Sequence, residues 1–390
     1  MTIAILGGGI GGLSAAIALK QEGFTVLVYE RHPAPTEIGA GIVCWPNASF
    51  VLDQLGLLEQ VKQVSGNVNA MSRFSHKDEL LGHLDITQLD KQMGYPSLSI
   101  IRKDLMKILS DRSLELGIPI HYRHELVSIN HNASNKTRVH FSNGKQIHAD
   151  IIIGADGRMN SVARQYVNRH NQPVYQGFIN WIGVLNTTEN LFTEPTIADY
   201  WGVGERFGIV PVSPDKAYWA GGSACPDIGT RDKKHYKKEL HTLFDSWPYP
   251  IARIIDETAT SKINKIYVHD HDPIQCWHRD NVVLLGDAAH SPLPTSGQGA
   301  CQALEDSWHL ANCIKAGGEN ITKAFNDYTQ IRLKKTTDIT IGGRQLAKSI
   351  FNTDPEFCLQ RNINSQNTDY KASVHAMAQG WAVDLPIALT

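Results

Sequence analysis

The residues that could do chemistry begin with glycines. In the opening stretch TIAILGGGIGGLSAAIALK, Gly7, Gly9 and Gly12 stand in the order G-x-G-x-x-G between an apolar run and a segment with an apolar helical face. Glu30 closes the next apolar run, FTVLVY, about twenty residues on, which is the spacing of a dinucleotide-binding unit. Each position has a physical task. Gly7 permits a tight turn, Gly9 lets a pyrophosphate approach the backbone, and Gly12 lets helix and strand pack closely. The helix start offers N–H groups and the positive end of a dipole, and Glu30 offers a carboxylate to ribose hydroxyls. This spacing leaves NAD and FAD equally open.

Two further stretches have the same form of apolar run followed by acid and glycine. Residues 282–306, VVLLGDAAHSPLPTSGQGACQALED, place Asp287 at the end of a strand-like run, before a loop shaped by proline and glycine. Ligands of α/β sheets bind beyond the carboxyl ends of strands, so this is where a site would be presented. Residues 151–164, IIIGADGRMNSVAR, set Gly154, Asp156 and Gly157 after another run, with Ser161 and Arg164 beyond. Asp156 is either a ligand-facing acid or a helix cap. His290, three residues after Asp287, reads as a satisfied structural histidine.

These groups need elements to hold them. Residues 2–6, 10–22 and 24–29 read as strand, helix and strand, so the chain opens with a βαβ unit. From about 173 to 270, stretches such as RFGIVPV and KAYWAGG alternate in the manner of an antiparallel sheet with one face covered. After residue 281 strand, glycine loop and long helix return. A nucleotide-binding domain is therefore expected in discontinuous pieces, with a β-rich unit inserted.

Composition excludes several classes. Lys and Arg number 37 against 39 Asp and Glu, so no charge excess draws the chain to nucleic acid or an anionic membrane surface. The six cysteines show neither C-x-x-C nor metal-ligand spacing, so no metal site is expected and the thiols fit a cytoplasmic protein. The glycine-cut opening reads as folded structure rather than a signal peptide, and no apolar stretch reaches the 18 or so residues of a membrane span.

Taken together, the glycine fingerprint, GADGRMNSVAR and GDAAHSPLPTSGQG, with Arg102 in IRKDL and the WPN at 45–47, resemble the three ordered motifs of the single-component (class A) FAD-dependent aromatic hydroxylases. The resemblance runs from residue 1 to about 340. It implies an α/β fold with a discontinuous, GR2-type Rossmann-like FAD-binding domain at 1–172 and 271–345. An antiparallel β-sheet substrate domain at 173–270 is inserted in it, part of 60–110 contributes to the substrate side, and a C-terminal helical segment covers 346–390. Non-covalent FAD is the implied cofactor, and NADH or NADPH the transient co-substrate.

Carried over residue by residue, the resemblance makes Gly7, Gly9, Gly11, Gly12, Glu30 and Arg31 cofactor positions, joined by Val43, Arg102 and, through its backbone, Val127. Asp287 would hold the ribityl chain. The backbone of Gly297, Gln298, Gly299, Ala300 and Cys301 would lie at the pyrimidine end of the flavin, where N–H groups stabilise negative charge on the reduced ring. Pro294 would face flavin and substrate, and Asp156 would support both the flavin and the passage of the nicotinamide donor. Trp45, Pro46 and Asn47 would wall the flavin.

The reaction implied is reduction of flavin by NAD(P)H, addition of oxygen at C4a, and transfer of one oxygen atom from the hydroperoxide to an electron-rich ring. Within the family, FINWIG, GERFGIVPVS and KAYW resemble the FAD-dependent urate hydroxylase type and, less specifically, salicylate and quinolone hydroxylases. Asn180, Arg206 and Tyr218 would then face a small aromatic substrate, Arg206 pairing with an anionic oxygen and Tyr218 holding or deprotonating the substrate. The spacing of Arg206 and Tyr218 is even, which permits one face of a hairpin unless the turn resets the register. A broad-specificity drug-modifying enzyme of the tetracycline-inactivating kind, and a non-catalytic FAD protein that stabilises a ligand, are the alternatives; a halogenase is disfavoured because no W-x-W-x-I-P stretch occurs. A monomer or homodimer is expected.

Overall fold

The computed structural model describes residues 1–35, 40–131 and 137–390. The strand Thr2–Leu6 is central in a six-stranded sheet, and Ile3 to Leu6 are sealed on both faces as a parallel sheet between helices requires. It pairs in parallel with Thr25–Tyr29 on one side and Ile151–Gly154 on the other, and Val282–Leu284 adds in parallel beyond the latter. Ile120–His121 extends one end, and His278–Arg279 closes the other as an antiparallel edge. All four long strands run the same way, so their carboxyl ends form one edge of the sheet. Along it stand the residues that follow those ends: Glu30, Gly7, Asp156 and Asp287. Segments more than a hundred residues apart in the chain are thereby brought side by side.

The second sheet has seven strands in the order Asn264–Asp270, Val174–Asn186, Lys216–Ala224, Glu205–Ser213, Thr196–Trp201, Ala70–Ser75, Leu80–Asp85. It departs from the expected antiparallel sheet at one pair, because Thr196–Trp201 runs parallel to Ala70–Ser75. Both of its faces are covered, where the alternation had suggested one. On the outer face Trp181, Phe207 and Trp219 are buried with Leu240, Phe244 and Ile254 of the helices Tyr236–Phe244 and Ile251–Glu257. Burying each such side chain is worth about 1.5–3 kcal/mol. The inner face turns toward the nucleotide-binding part, where Phe178 packs with Leu293, Ala347 and Phe351.

The helix Ile321–Ile350 runs unbroken through the expected boundary at 345/346. The C-terminal segment proper is two helices, Pro355–Gln366 and Tyr370–Ala382, both N-capped by aspartates, Asp354 and Asp369. Among the described residues no helix is long and apolar enough to cross a membrane, and no group of three or more His, Cys, Asp or Glu could hold a metal ion.

Candidate active site

The glycine turn has the shape that the fingerprint requires. Gly7 has φ +119°, and a Cβ there would lie 2.2 Å from the Ala155 carbonyl oxygen. A Cβ on Gly12 would stand 1.9 Å from the Gly7 carbonyl oxygen, so only glycine lets the helix Ile10–Gln21 start this close to the strand. Gly9 differs: nothing lies within 4 Å of its Cβ position, which leaves its backbone open to a ligand. Glu30, nearly buried, accepts the Gly8 N–H at 2.7 Å and the His32 N–H at 2.8 Å.

Two adjoining cavities of about 380 and 350 Å³ follow this edge and share Gly9, Arg102, Ala155 and Gly157. The first is bordered by Glu30, Arg31, His124, Leu126 and Asp156, the second by Gly11, Gly12, Ile42, Asp287, Pro294 and Gly297 to Ala300. A long ligand with a polar middle suits the pair, its middle passing the open Gly9 backbone. The donor set also fits FAD, with a carboxylate for the ribose at one end and a half-buried carboxylate, Asp287, near the other. Asp287 lies 3.8 Å from Arg158. Arg102, at the junction, feels the charges of both Asp287 and Glu30, although burial lowers its pKa overall.

Some expected residues stand elsewhere. Val127 is exposed and Leu126 borders the cavity in its place; Val43 borders neither cavity, its neighbour Ile42 doing so. Cys301 is fully buried, with its thiol toward the Val43 carbonyl oxygen at 3.4 Å. Cys301, its side chain buried, could meet a ligand only through its backbone. Asp156 borders the first cavity, yet its two oxygens accept from Ser161 Oγ (2.6 Å) and the Ala163 N–H (3.1 Å), and burial raises its pKa. Ser161 is the N-cap of the helix Val162–Asn168, accepting the Arg164 N–H, and Asp156 supports that helix start. His290 is buried with Nε2 2.6 Å from the buried Asp306, as a structural histidine would be, while its Nδ1 makes no hydrogen bond among the described residues. Trp45 and Asn47 border neither cavity; they lie behind the 297–301 loop, Trp45 donating to the Gly297 carbonyl at 3.1 Å and Asn47 to Gln298 Oε1 at 2.9 Å.

The three residues expected to face substrate share one face of the second sheet. Arg206 is directly opposite Gly222, which is directly opposite Asn180 on the next strand, and Val210 and Val184 flank Tyr218 in the same way. Directly opposed residues point to the same side, and 206, 208 and 210 alternate regularly. The irregularity near the turn falls between Pro211 and Ser213, beyond these pairs, so it does not separate Arg206 from Tyr218. This is the inner face. The Tyr218 ring lies where a Cβ of Gly41 would be, 1.9 Å from it, against the strand Gly41–Cys44 that carries Ile42 to the second cavity. Burial pushes the Tyr218 phenol far above its ordinary pKa, only partly offset by the nearby Arg206 charge, so it is protonated at neutral pH and available as a hydrogen-bond donor.

Sequence reasoning missed the residue that aims Arg206. Asp199, buried on the adjacent strand, accepts Arg206 Nε at 2.5 Å and Trp201 Nε1 at 2.9 Å. The signal was present: in TIADYW an acid falls among apolar strand residues, and a buried carboxylate requires a partner. Phe351, stacked on Phe178 at 4.1 Å, closes the same face; a Cβ on Gly222 would come within 2.9 Å of its ring. Asp199→Asn is expected to lower stability by about 1–3 kcal/mol, the cost of an imperfectly paired buried group. It should also divert reducing equivalents to hydrogen peroxide, because Arg206 loses its fixed direction. Denaturation midpoints and peroxide yield check both; a variant equal to wild type in each would show that Asp199 does not aim Arg206.

Comparison with known proteins places this geometry. The FAD binding domain family matches residues 1–340. The chain is 30% identical to the aurachin C monooxygenase/isomerase of Stigmatella aurantiaca over 89% of each chain. It is 31% identical to the FAD-dependent urate hydroxylase of Mycolicibacterium vanbaalenii, over 91% of this chain and 90% of that one. The solved structure of HpxO from Klebsiella pneumoniae with FAD and uric acid superposes with a TM-score of 0.89 at 26% identity, covering 98% of this chain and 97% of that one. The chain belongs to the FAD-binding family of class A flavin monooxygenases, and FAD is its cofactor.

Proposed function

We propose that this monooxygenase hydroxylates a small planar aromatic or heteroaromatic compound bearing an anionic oxygen, urate-like in that respect, with NADH or NADPH as reductant and O2 as oxidant. The observation that carries the reading is the row Asn180, Gly222, Arg206 with Tyr218 on the same sheet face; none of the Asn180, Arg206 and Tyr218 side chains borders either cavity, but the Tyr218 ring lies against Gly41, next to Ile42 of the second cavity. When bound, FAD supplies hydride acceptance and oxygen activation. The protein's own residues do the rest. Arg206, held through Nε by Asp199, keeps its Nη side for a planar anionic edge, and lysine could not reproduce that fork. Tyr218, protonated at neutral pH, donates a hydrogen bond to a substrate oxygen rather than taking a proton from it. Asn180 adds a donor and an acceptor beside them, and Pro294 borders the cavity where ring and flavin would meet.

The test is a screen of urates, hydroxynicotinates, hydroxybenzoates and quinolones for stimulation of NAD(P)H oxidation by FAD-loaded protein, with products identified by mass. A hydroxylated product from an anionic ring supports the reading. Turnover confined to bulky polycyclic compounds favours a drug-modifying enzyme, and ligand binding without stimulation favours a non-catalytic role. On the cofactor side, Asp287 is assigned to the ribityl chain. Charge-assisted hydrogen bonds are worth about 1.5–3 kcal/mol, so Asp287→Ala is expected to weaken FAD binding by about tenfold or more. Unchanged flavin affinity in equilibrium titration removes Asp287 from the site.

A further inference from the structure

The C-terminal helix Tyr370–Ala382 is tied to the back of the 297–301 loop by two routes. One is aromatic. Trp381 packs its indole on Trp45, ring centroids 5.2 Å apart at 44°, and Trp45, almost fully buried, donates Nε1 to the Gly297 carbonyl. Gly297 is in the left-handed region, φ +63°, and a Cβ there would be 3.2 Å from that same indole nitrogen. The indole and the loop are thus fitted to each other at the point where the loop turns into the helix Gly299–Gly317.

The other route is ionic and buried. Asn47 Nδ2 donates to Gln298 Oε1 and, at 2.6 Å, to Glu305 Oε1. Glu305 Oε2 accepts from Arg332 at 2.5 Å and Lys335 at 2.9 Å, and the same Lys335 ammonium donates to the carbonyls of Trp381 (2.7 Å) and Val383 (3.0 Å). Asn47, Gln298, Glu305, Arg332 and Lys335 are all buried. Lys335 therefore neutralises a buried acid next to the loop and also satisfies carbonyls at the end of the C-terminal helix, which have no partner within that helix. A satisfied buried network of this kind rigidifies the segments that it joins.

We propose that the C-terminal helix is part of the cofactor site, with Trp381 and Trp45 as positioning residues that set the 297–301 backbone against the flavin from behind. The inference rests on the assignment of that loop to the pyrimidine end of FAD. It gives residues 370–382 a role in holding charge on the reduced ring, through N–H groups that they never touch. If the loop loosens, those N–H groups stabilise the reduced ring less, so flavin becomes harder to reduce as well as less tightly held.

Trp45→Phe keeps an aromatic ring and removes the indole N–H with the five-membered ring that carries it; Trp381→Leu removes the packing partner, with Trp381→Phe as the milder replacement should the first fail to fold. Each full-length variant is titrated with FAD, its flavin reduction potential is measured against a reference dye, and its denaturation midpoint is recorded. Loss of one net hydrogen bond predicts a rise of roughly two- to tenfold in the FAD dissociation constant for Trp45→Phe, with a more negative potential. The Trp381 variants shift both readouts in the same direction, and combining the two changes gives less than the product of the single effects, because they act on one contact. If the Trp381 variants change only the denaturation midpoint, the helix is merely structural and the inference is overturned. Gly297→Ala, a change in the loop itself, separates the two ways of failing. Should it move affinity and potential while Trp45→Phe does not, the loop assignment stands and the relay is wrong; should it move neither, the loop assignment falls and the inference with it.

Discussion

Arg206→Lys is expected to retain full FAD content and to lose most substrate-stimulated NAD(P)H oxidation, with kcat/KM for an anionic ring falling about ten- to a hundredfold. The reason is geometric rather than electrostatic. Lysine keeps the charge, but arginine's Nε is committed to Asp199 while its Nη side remains in a fixed plane, and a single ammonium cannot serve both. Tyr218→Phe removes one donor from the same face and should raise KM more than it lowers kcat, if, as proposed, the phenol donates to substrate and carries no proton in the chemical step. Burial holds that phenol far above its ordinary pKa, so Tyr218 should contribute no ionisation near pH 10 to the wild-type pH profile and the phenylalanine variant should keep its shape. Remaining flux in both variants ends increasingly as hydrogen peroxide. Steady-state kinetics with peroxide detection decide the matter; wild-type rate and affinity in both would make these ordinary sheet positions.

The second large effect separates two glycines that the fingerprint treats alike. Gly9→Ala should fold as wild type, because its methyl group meets no atom within 4 Å, and yet bind FAD weakly, because that open space is where the pyrophosphate must approach. An overpacked contact costs about 1–3 kcal/mol, a loss of about ten- to a hundredfold in affinity. Gly12→Ala drives its methyl group to 1.9 Å from the Gly7 carbonyl oxygen and must push the helix off the strand. It should therefore lower the denaturation midpoint of the FAD-free protein, which Gly9→Ala should leave in place. Thermal denaturation without FAD and flavin titration read the two effects independently. An unstable Gly9→Ala or a Gly12→Ala as stable as wild type would contradict this division of roles.

Much of the cofactor half was legible because its determinants are local. A turn with φ +119° next to a helix start has to be glycine, and an apolar run ending in an acid has to be a strand end, so Gly7, Gly12, Glu30 and Asp287 could be recognised without coordinates. The role of Asp156 was open in sequence because a capping or turn acid and a ligand-facing acid use the same residue type; in the structure it accepts from Ser161 and Ala163 while also bordering the first cavity. Trp45 and Asn47 were expected as walls and are supports, since the direction of a side chain at a helix start depends on what packs behind it. Here that is Gln298, Glu305 and Trp381, all more than two hundred residues away.

The sequence by itself determined the βαβ opening, the dinucleotide fingerprint and the β-rich character of residues 173–270, since each follows from periodicity or from a conformation only one residue type tolerates; the order of the cofactor motifs was legible through their resemblance to those of the class A hydroxylases. Only the tertiary structure decided which side chains share a face. Strand pairing set Asn180, Arg206 and Tyr218 together and kept the turn irregularity outside their register. It also supplied Asp199 as the partner of Arg206, and it laid the C-terminal helix behind the flavin loop. These are contacts between segments distant in the chain, and no local propensity encodes them; they follow from the burial of each element's apolar face against another's and from the need of every buried charge for a partner.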